Sequence, residues 1–410
     1  MRRSLHAGLL LLLAPAVALA FDAVDTLPYP SSGVFPAYPA EDPYPRGLWA
    51  EAGVMRDDNV LRRPANGPGE TIWRVGAGAR AEQRVFGRQL LRLEARGEGY
   101  LFNRFSELDH LAYGLGAEWL WELGNPLSGT LGYTRRRFMV DLGERQTAVR
   151  DLVTQNRFYG TAAYRISPDW RVRGALEHTA SDRPEVVAAE TAATSVAGGV
   201  DYVTPLGNAV GIEVRAAHGD ARVPEAIDPL GVFVDNDFSE REIAAVLGYT
   251  VGPQLRLAAR LGRTERTYSQ IPGRDFKGTT GRLEVAWRPG NKTTLEFEAY
   301  RVPRSIIDIA ASHVLVEGVA FGPSWAPTAK LVFSARLVNE HREYTGDPAA
   351  ALGVATLRDE TVRTWRFGAG WEATRRHRLG VALETGERGS NLLGRDYDYT
   401  ALMANLRYSF

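Results

Sequence analysis

From Leu48 onward the sequence alternates apolar and polar residues with a period of two, segment after segment. Leu91, Leu93 and Ala95 alternate with Arg92, Glu94, Arg96 and Glu98. Leu283, Val285 and Trp287 alternate with Arg282, Glu284 and Arg288, and Trp365, Phe367, Ala369 and Trp371 with Arg366 and Glu372. Successive side chains of a strand point to opposite faces, so each segment reads as a strand with one oily and one wet face. No segment carries a helical stripe of comparable length. A soluble sandwich or propeller would need an apolar interior for all these half-faces. A closed barrel in a membrane uses them directly, apolar outward and polar inward.

Short turn signals divide the pattern: Gly124-Asn125-Pro126, Ser167-Pro168-Asp169, Pro205-Leu206-Gly207, Gly252-Pro253-Gln254, Pro289-Gly290-Asn291, Ala326-Pro327-Thr328 and Thr374-Arg375-Arg376. They recur every 37 to 48 residues, and each interval holds a strand, a longer polar loop and a returning strand. The loops include Glu144 to Arg150, Arg222 to Asp237 and Thr345 to Glu360. Counting this way predicts a transmembrane antiparallel up-and-down β-barrel of about 18 strands, with short turns in the periplasm and long loops outside. Trp121, Trp170, Trp287, Trp325 and Trp371, with Tyr164 and Tyr202, fall within a few residues of the short turns. That position fits an aromatic girdle at the headgroup level.

The last ten residues, Ala401 to Phe410, alternate to the end. Leu402, Ala404, Leu406, Tyr408 and Phe410 are expected to face lipid in a closing strand, with Tyr408 and Phe410 acting as an assembly signal. Ahead of the barrel (47–410) two segments differ. Residues 1–20 begin with Arg2 and Arg3, continue into the apolar run Leu9 to Leu13 and finish Ala18-Leu19-Ala20, as a cleaved secretory signal does. Residues 21–46 carry Pro28, Pro30, Pro36, Pro39, Pro43 and Pro45 among aromatic residues. Prolines this dense cannot join a ladder, so the segment reads as an extended periplasmic tail.

Composition narrows the function. The 410 residues contain no cysteine and carry a formal charge of zero, which excludes disulfides and thiolate sites and gives no reason to expect nucleic acid as a partner. Expected partners are outer-membrane lipid and the barrel-assembly machinery. Enzyme signals are weak: Gly76-Ala77-Gly78 lies in an alternating strand with no following helix, and the histidines show no metal-ligand pair at helical spacing. His178 with Asp182 and His218 with Asp220 read as solvated strand ends, so neither a catalytic residue nor a metal or cofactor site is assigned. What remains is the polar face, which would line a lumen: Arg92, Glu94, Arg96, Glu98, Arg171, Arg173, Glu213, Arg215, Arg256, Arg260, Arg282, Glu284, Glu296, Glu298 and Arg366. Such charges pair across strands and stiffen the wall, and they also meet hydroxylated or charged solute in a hydrated conduit.

One stretch after the first strand stands apart, Met55-Arg56-Asp57-Asp58-Asn59-Val60-Leu61-Arg62. Asp57, Asp58 and Asn59 are good turn formers, and a tight strand exit is the favoured reading over a cation or glycan contact. With Gly47 to Val54 before it and Leu406 to Phe410 at the other end, the chain resembles the β-barrel porins associated with bacterial exopolysaccharide gene clusters, in particular the EpsL-like exosortase-associated outer-membrane proteins. The resemblance implies an outer-membrane role in exopolysaccharide biosynthesis and export, with polysaccharide as cargo and periplasmic export components as partners. A porin for small solutes, general or selective, and a structural or adhesive barrel are the alternatives.

Overall fold

The computed structural model describes residues 47–185, 191–221, 225–227, 232–234, 237–270, 275–305, 313–345 and 356–410. The expected signal and tail, 1–20 and 21–46, lie outside the described residues, as do most of loops 222–237 and 345–360.

Eighteen antiparallel strands form one closed sheet. In chain order they are β1 (Gly47–Asp57), β2 (Glu70–Arg84), β3 (Leu90–Phe102), β4 (His110–Leu123), β5 (Leu127–Met139) and β6 (Leu152–Arg165). Next come β7 (Trp170–Asp182), β8 (Thr191–Val203), β9 (Ala209–Ala221), β10 (Phe238–Val251), β11 (Leu255–Tyr268) and β12 (Phe276–Trp287). The circuit ends with β13 (Thr293–Ser305), β14 (His313–Trp325), β15 (Leu331–Thr345), β16 (Asp359–Glu372), β17 (His377–Ser390) and β18 (Tyr397–Ser409). Every strand pairs with its sequence neighbours. Closure comes from β1 on β18, in register from Trp49↔Ser409 to Asp57↔Ala401, so the eighteen-stranded sheet has no open edge.

The expected barrel and its strand number are what the chain forms. All seven quoted turns connect successive strands. An eighth turn, residues 85–89, carries little signal in the sequence: Val85-Phe86-Gly87-Arg88-Gln89 offers one turn former, Gly87, which adopts φ +56°.

The alternation sorts as expected. Leu402, Ile212 and Leu261 are 60%, 61% and 64% exposed, on the same outward face as the aromatic rings near the turns. Trp170 meets Tyr202 edge-on at 5.6 Å, and Tyr408 meets Phe410 at 4.9 Å. Solvent exposure of this much apolar surface is intelligible only as a lipid-facing band. Leu402 lies mid-strand in β18. Leu402→Arg is therefore expected to cost about 2–4 kcal/mol of folding free energy in a bilayer, the range for arginine near the midplane. Reversible folding into lipid vesicles measures it, and an unchanged free energy would place that face elsewhere.

Inward positions interlock. The Tyr159 and Tyr399 rings lie across the register-paired Gly132 and Gly386, where a Cβ would come within 2.1 and 2.4 Å of the ring. Both hydroxyls donate to glutamates, Tyr159 to Glu118 at 2.9 Å and Tyr399 to Glu384 at 2.8 Å. Tyrosine thus fills the space over glycine while its polar tip is satisfied inside the lumen.

Candidate functional site

All fifteen residues read as lumen-lining occupy inward strand positions, but the structure divides them by accessibility. On β7 to β11 they join a continuous ion-pair ladder. Arg171 pairs with Asp201 at 2.7 Å, and Asp201 with Arg173 at 3.1 Å. Arg173 continues to Glu213, Glu213 to Arg260 at 2.6 Å, and Arg260 to Glu242 at 2.9 Å. Glu242 meets Arg215 at 3.2 Å, Arg215 meets Glu240, and Glu240 meets Arg266 at 2.7 Å. Five arginines and four carboxylates alternate, and Glu213 is 1% exposed. Charges taken this far from water persist when every one is paired and hydrogen-bonded. Arg171, Arg173, Glu213, Arg215 and Arg260 therefore build wall.

The remaining charges stay accessible and gather on two facing walls. On β2 to β4, Arg92 bridges Glu82 at 3.0 Å and Glu118 at 3.2 Å, and Arg80 meets Glu94 at 3.3 Å. Arg96 shares that inward face. On β11 to β15, Arg282 bridges Glu284 at 2.6 Å and Glu298 at 2.7 Å, and Glu298 also holds Arg336 at 3.0 Å. Arg256 and Glu296 are exposed on the same side. β3 and β12 stand nine strands apart in a circuit of eighteen, directly across the barrel. Both clusters lie in the half of their strands nearer the short turns. Two assigned residues sit outside these groups: Glu98 ion-pairs with Arg74 at 3.6 Å and accepts from Tyr100, and Arg366 pairs with Glu384.

Toward the opposite end, where the long loops lie, the lumen changes character. Three connections turn inward: L1 (58–69), L2 (103–109) and L3 (140–151). Val60 and Leu61 from L1, Leu108 from L2 and Leu142 from L3 pack with Met55, Ile72, Tyr100, Phe102, Ala112, Ala382, Ala401 and Met403 on the barrel's inner face. This apolar cluster inside a polar lumen covers the wall from β17 through β4.

L3 runs along that cluster to a charged anchor. Its one-turn helix α1 (Leu142–Arg145) is capped by Asp141, whose carboxylate accepts from the Gly143 N–H at 2.7 Å. Glu144 then meets Arg342 at 3.5 Å, Arg358 at 3.4 Å and Arg388 at 3.9 Å. Arg342 and Arg388 belong to β15 and β17 and Arg358 immediately precedes β16, six to eight strands from β5 around the circuit. Glu340 and Glu360 complete a set of three carboxylates and three guanidiniums. Burial alone would raise the Glu144 pKa, but the three arginines outweigh it and hold the carboxyl below its ordinary value of 4.5. Main-chain contacts reinforce the seat: Arg388 donates to the Gly143 carbonyl at 2.7 Å and Arg395 to the Glu144 carbonyl at 2.8 Å.

The Asp57-Asp58-Asn59 stretch connects this loop system to the barrel seam. Asp57 accepts from the Asn59 N–H at 2.8 Å and from Arg62 at 2.9 Å. Asp58 accepts from the Thr400 N–H at 2.7 Å, and Asn59 donates to the Asp398 carbonyl at 2.8 Å, both on β18. Arg62 stacks 3.5 Å over the Tyr399 ring, and its carbonyl accepts from Gln146 of L3 at 2.6 Å. The stretch is a strand exit, as favoured, and it also ties the first strand to the last and L1 to L3. The sequence reading missed Glu144 and its arginines. The available signal was Leu142, an apolar residue directly behind a capping Asp141.

No family model matches the chain, and no characterised protein sequence matches it. The EpsL-like resemblance accordingly finds no support there. Among solved structures, the outer membrane protein OpdK from Pseudomonas aeruginosa is similar at 13% identity and a TM-score of 0.46, covering 88% of this chain and 99% of that one. OccK2 (OpdF) from P. aeruginosa, crystallised in complex with glucuronate, is similar at 13% identity and 0.49, covering 89% and 98%. OccAB3 from Acinetobacter baumannii is similar at 8% identity and 0.47, covering 89% and 99%.

Proposed function

We propose that the chain is an outer-membrane channel for small polar solutes, with the start of β1 and the end of β18 on the periplasmic side and L1–L3 toward the exterior. The observation that carries this reading is the pairing of an accessible, mixed-charge lumen on opposite walls with an extracellular half narrowed by inward-folded loops. Eighteen strands enclose more space than their own side chains fill. Open pairs such as Arg80–Glu94 and Arg92–Glu118, with the half-buried Arg282–Glu284, offer exchangeable hydrogen bonds to hydroxyl, carboxylate or ammonium groups. Weak repeated contacts suit conduction better than one tight site.

The same geometry weighs against the export of exopolysaccharide implied by the family resemblance. A polymer needs an unobstructed path through the extracellular half, whereas Leu142, Val60 and Leu61 are packed inside it. Nor does any feature of the described residues favour an adhesive barrel. The partners under this reading are outer-membrane lipid, the barrel-assembly machinery acting on the closing strand that contains Tyr408 and Phe410, and the solutes themselves.

Swelling of liposomes containing the full-length protein tests it. Monosaccharides and amino acids are expected to enter and dextrans to be excluded. Equal entry of oligosaccharide and monosaccharide would return the export reading, and no swelling with any solute would remove the channel reading.

A further inference from the structure

On the outer face of the barrel, at the extracellular end of β15 and β16, three ligating groups converge without serving the lumen. His341 Nε2 lies 3.5 Å from Glu343 Oε1 and 3.4 Å from Asp359 Oδ2, and all three ligand atoms lie within 4.8 Å of one another. A tetrahedral zinc site with bonds near 2.0–2.2 Å has ligand–ligand edges of roughly 3.3–3.6 Å. The histidine is already at that separation from both carboxylates.

The placement of the carboxylates is the second observation. Glu343 and Asp359 are direct cross-strand partners in the ladder, and like charges directly opposite one another destabilise a strand pair. Neighbouring outward acids are neutralised: Glu317 by Arg301 at 2.7 Å and Glu387 by Arg363 at 2.7 Å. Among the described residues neither Glu343 nor Asp359 has a lysine or arginine partner, and His341 is the group both share. A neutral imidazole supplies a lone pair rather than a charge. A divalent metal ion would satisfy the imidazole and neutralise both acids at once.

We propose that His341, Glu343 and Asp359 bind a divalent transition-metal ion of zinc type, with a fourth position open to solvent. Its setting gives it a consequence. The residues alternating with these ligands, Arg342, Tyr344, Arg358 and Glu360, face inward and form the seat of Glu144. Arg358 sits 4.0 Å under the Tyr344 ring, and Tyr344 donates to Glu360 at 3.2 Å. A metal clamped across the outside of β15 and β16 holds together the strand ends that seat L3 inside.

The test uses full-length protein without a polyhistidine tag, stripped with chelator in detergent and titrated with Zn²⁺ by calorimetry and with Co²⁺ by absorption. One metal per chain is expected, with the intense visible bands of tetrahedral Co²⁺. His341→Gln and Asp359→Asn should each weaken binding by more than about tenfold, since even loss of an outer-shell partner costs 10–100-fold. Glu265→Gln, at an outward acid paired with Lys277, should leave binding unchanged. Heat-modifiable gel migration confirms that each variant is folded. Absence of binding by the folded wild type would overturn the site, as would equal affinity in folded His341→Gln and Asp359→Asn.

Discussion

Glu144→Gln is expected to release L3. The variant keeps the shape of the side chain but leaves Arg342, Arg358 and Arg388 without the L3 carboxylate. Removing one partner of a fully buried ion pair costs about 3–5 kcal/mol. Glu144 retains 27% of its side-chain exposure, so about 2 kcal/mol is the better figure, on the order of a thirtyfold rise in the population of detached loop. The chain has no cysteine, which makes a single reporter clean. A fluorine label on Thr147→Cys, an exposed L3 position, should show a second resonance growing in the Glu144→Gln background. Acid should do the same to the wild type. The folded carboxyl has a depressed pKa, so its contribution is fully present above the ordinary value of 4.5 and is lost as pH falls through the lower, folded value. An acid-induced resonance that persists unchanged in Glu144→Gln would assign the transition to another group.

The second large effect concerns the ladder. Glu213→Gln removes a charge that serves Arg173 and Arg260 together at a position 1% exposed. A loss of about 3–5 kcal/mol in barrel stability is expected, read as a lower unfolding temperature with no change in strand content. The double variant Arg173→Met/Glu213→Leu should lose less than Glu213→Gln alone, because removing one charge of each sign keeps the ladder's net charge unchanged. Additive losses in that cycle would show the two residues to be uncoupled.

Much of this architecture was legible in the sequence, because a barrel's rules are local. The outward set Leu402, Ala404, Leu406, Tyr408 needs only the two-residue period, and the turns at Gly124, Pro168 and Pro289 need only their own residues. Inward placement of Arg173 and Glu213 follows from the same period. Their burial does not, since it depends on a chain of pairs running across five strands. The turn at 85–89 carried too few polar residues to announce itself. Glu144 was hidden for a different reason: its partners Arg342 and Arg358 stand 198 and 214 positions away, and only inward folding of L3 brings them together. His341 and Glu343 were missed because ligand pairs were sought at helical spacing. On a strand, positions i and i+2 share a face, and Asp359 joins them through the β15–β16 register. The Asp57-Asp58-Asn59 stretch shows the reverse case. Its turn chemistry was readable, while its contacts to Asp398 and Thr400 exist only because β18 closes on β1.

Single-channel recording of the full-length protein in a planar lipid bilayer tests the central claim most directly. A hydrated lumen lined by exposed Arg–Glu pairs predicts stepwise, ohmic conductance, larger and noisier in Glu144→Gln as L3 leaves its seat. Barrels that insert, migrate as folded protein and pass no current, in the wild type and in Glu144→Gln alike, would contradict it.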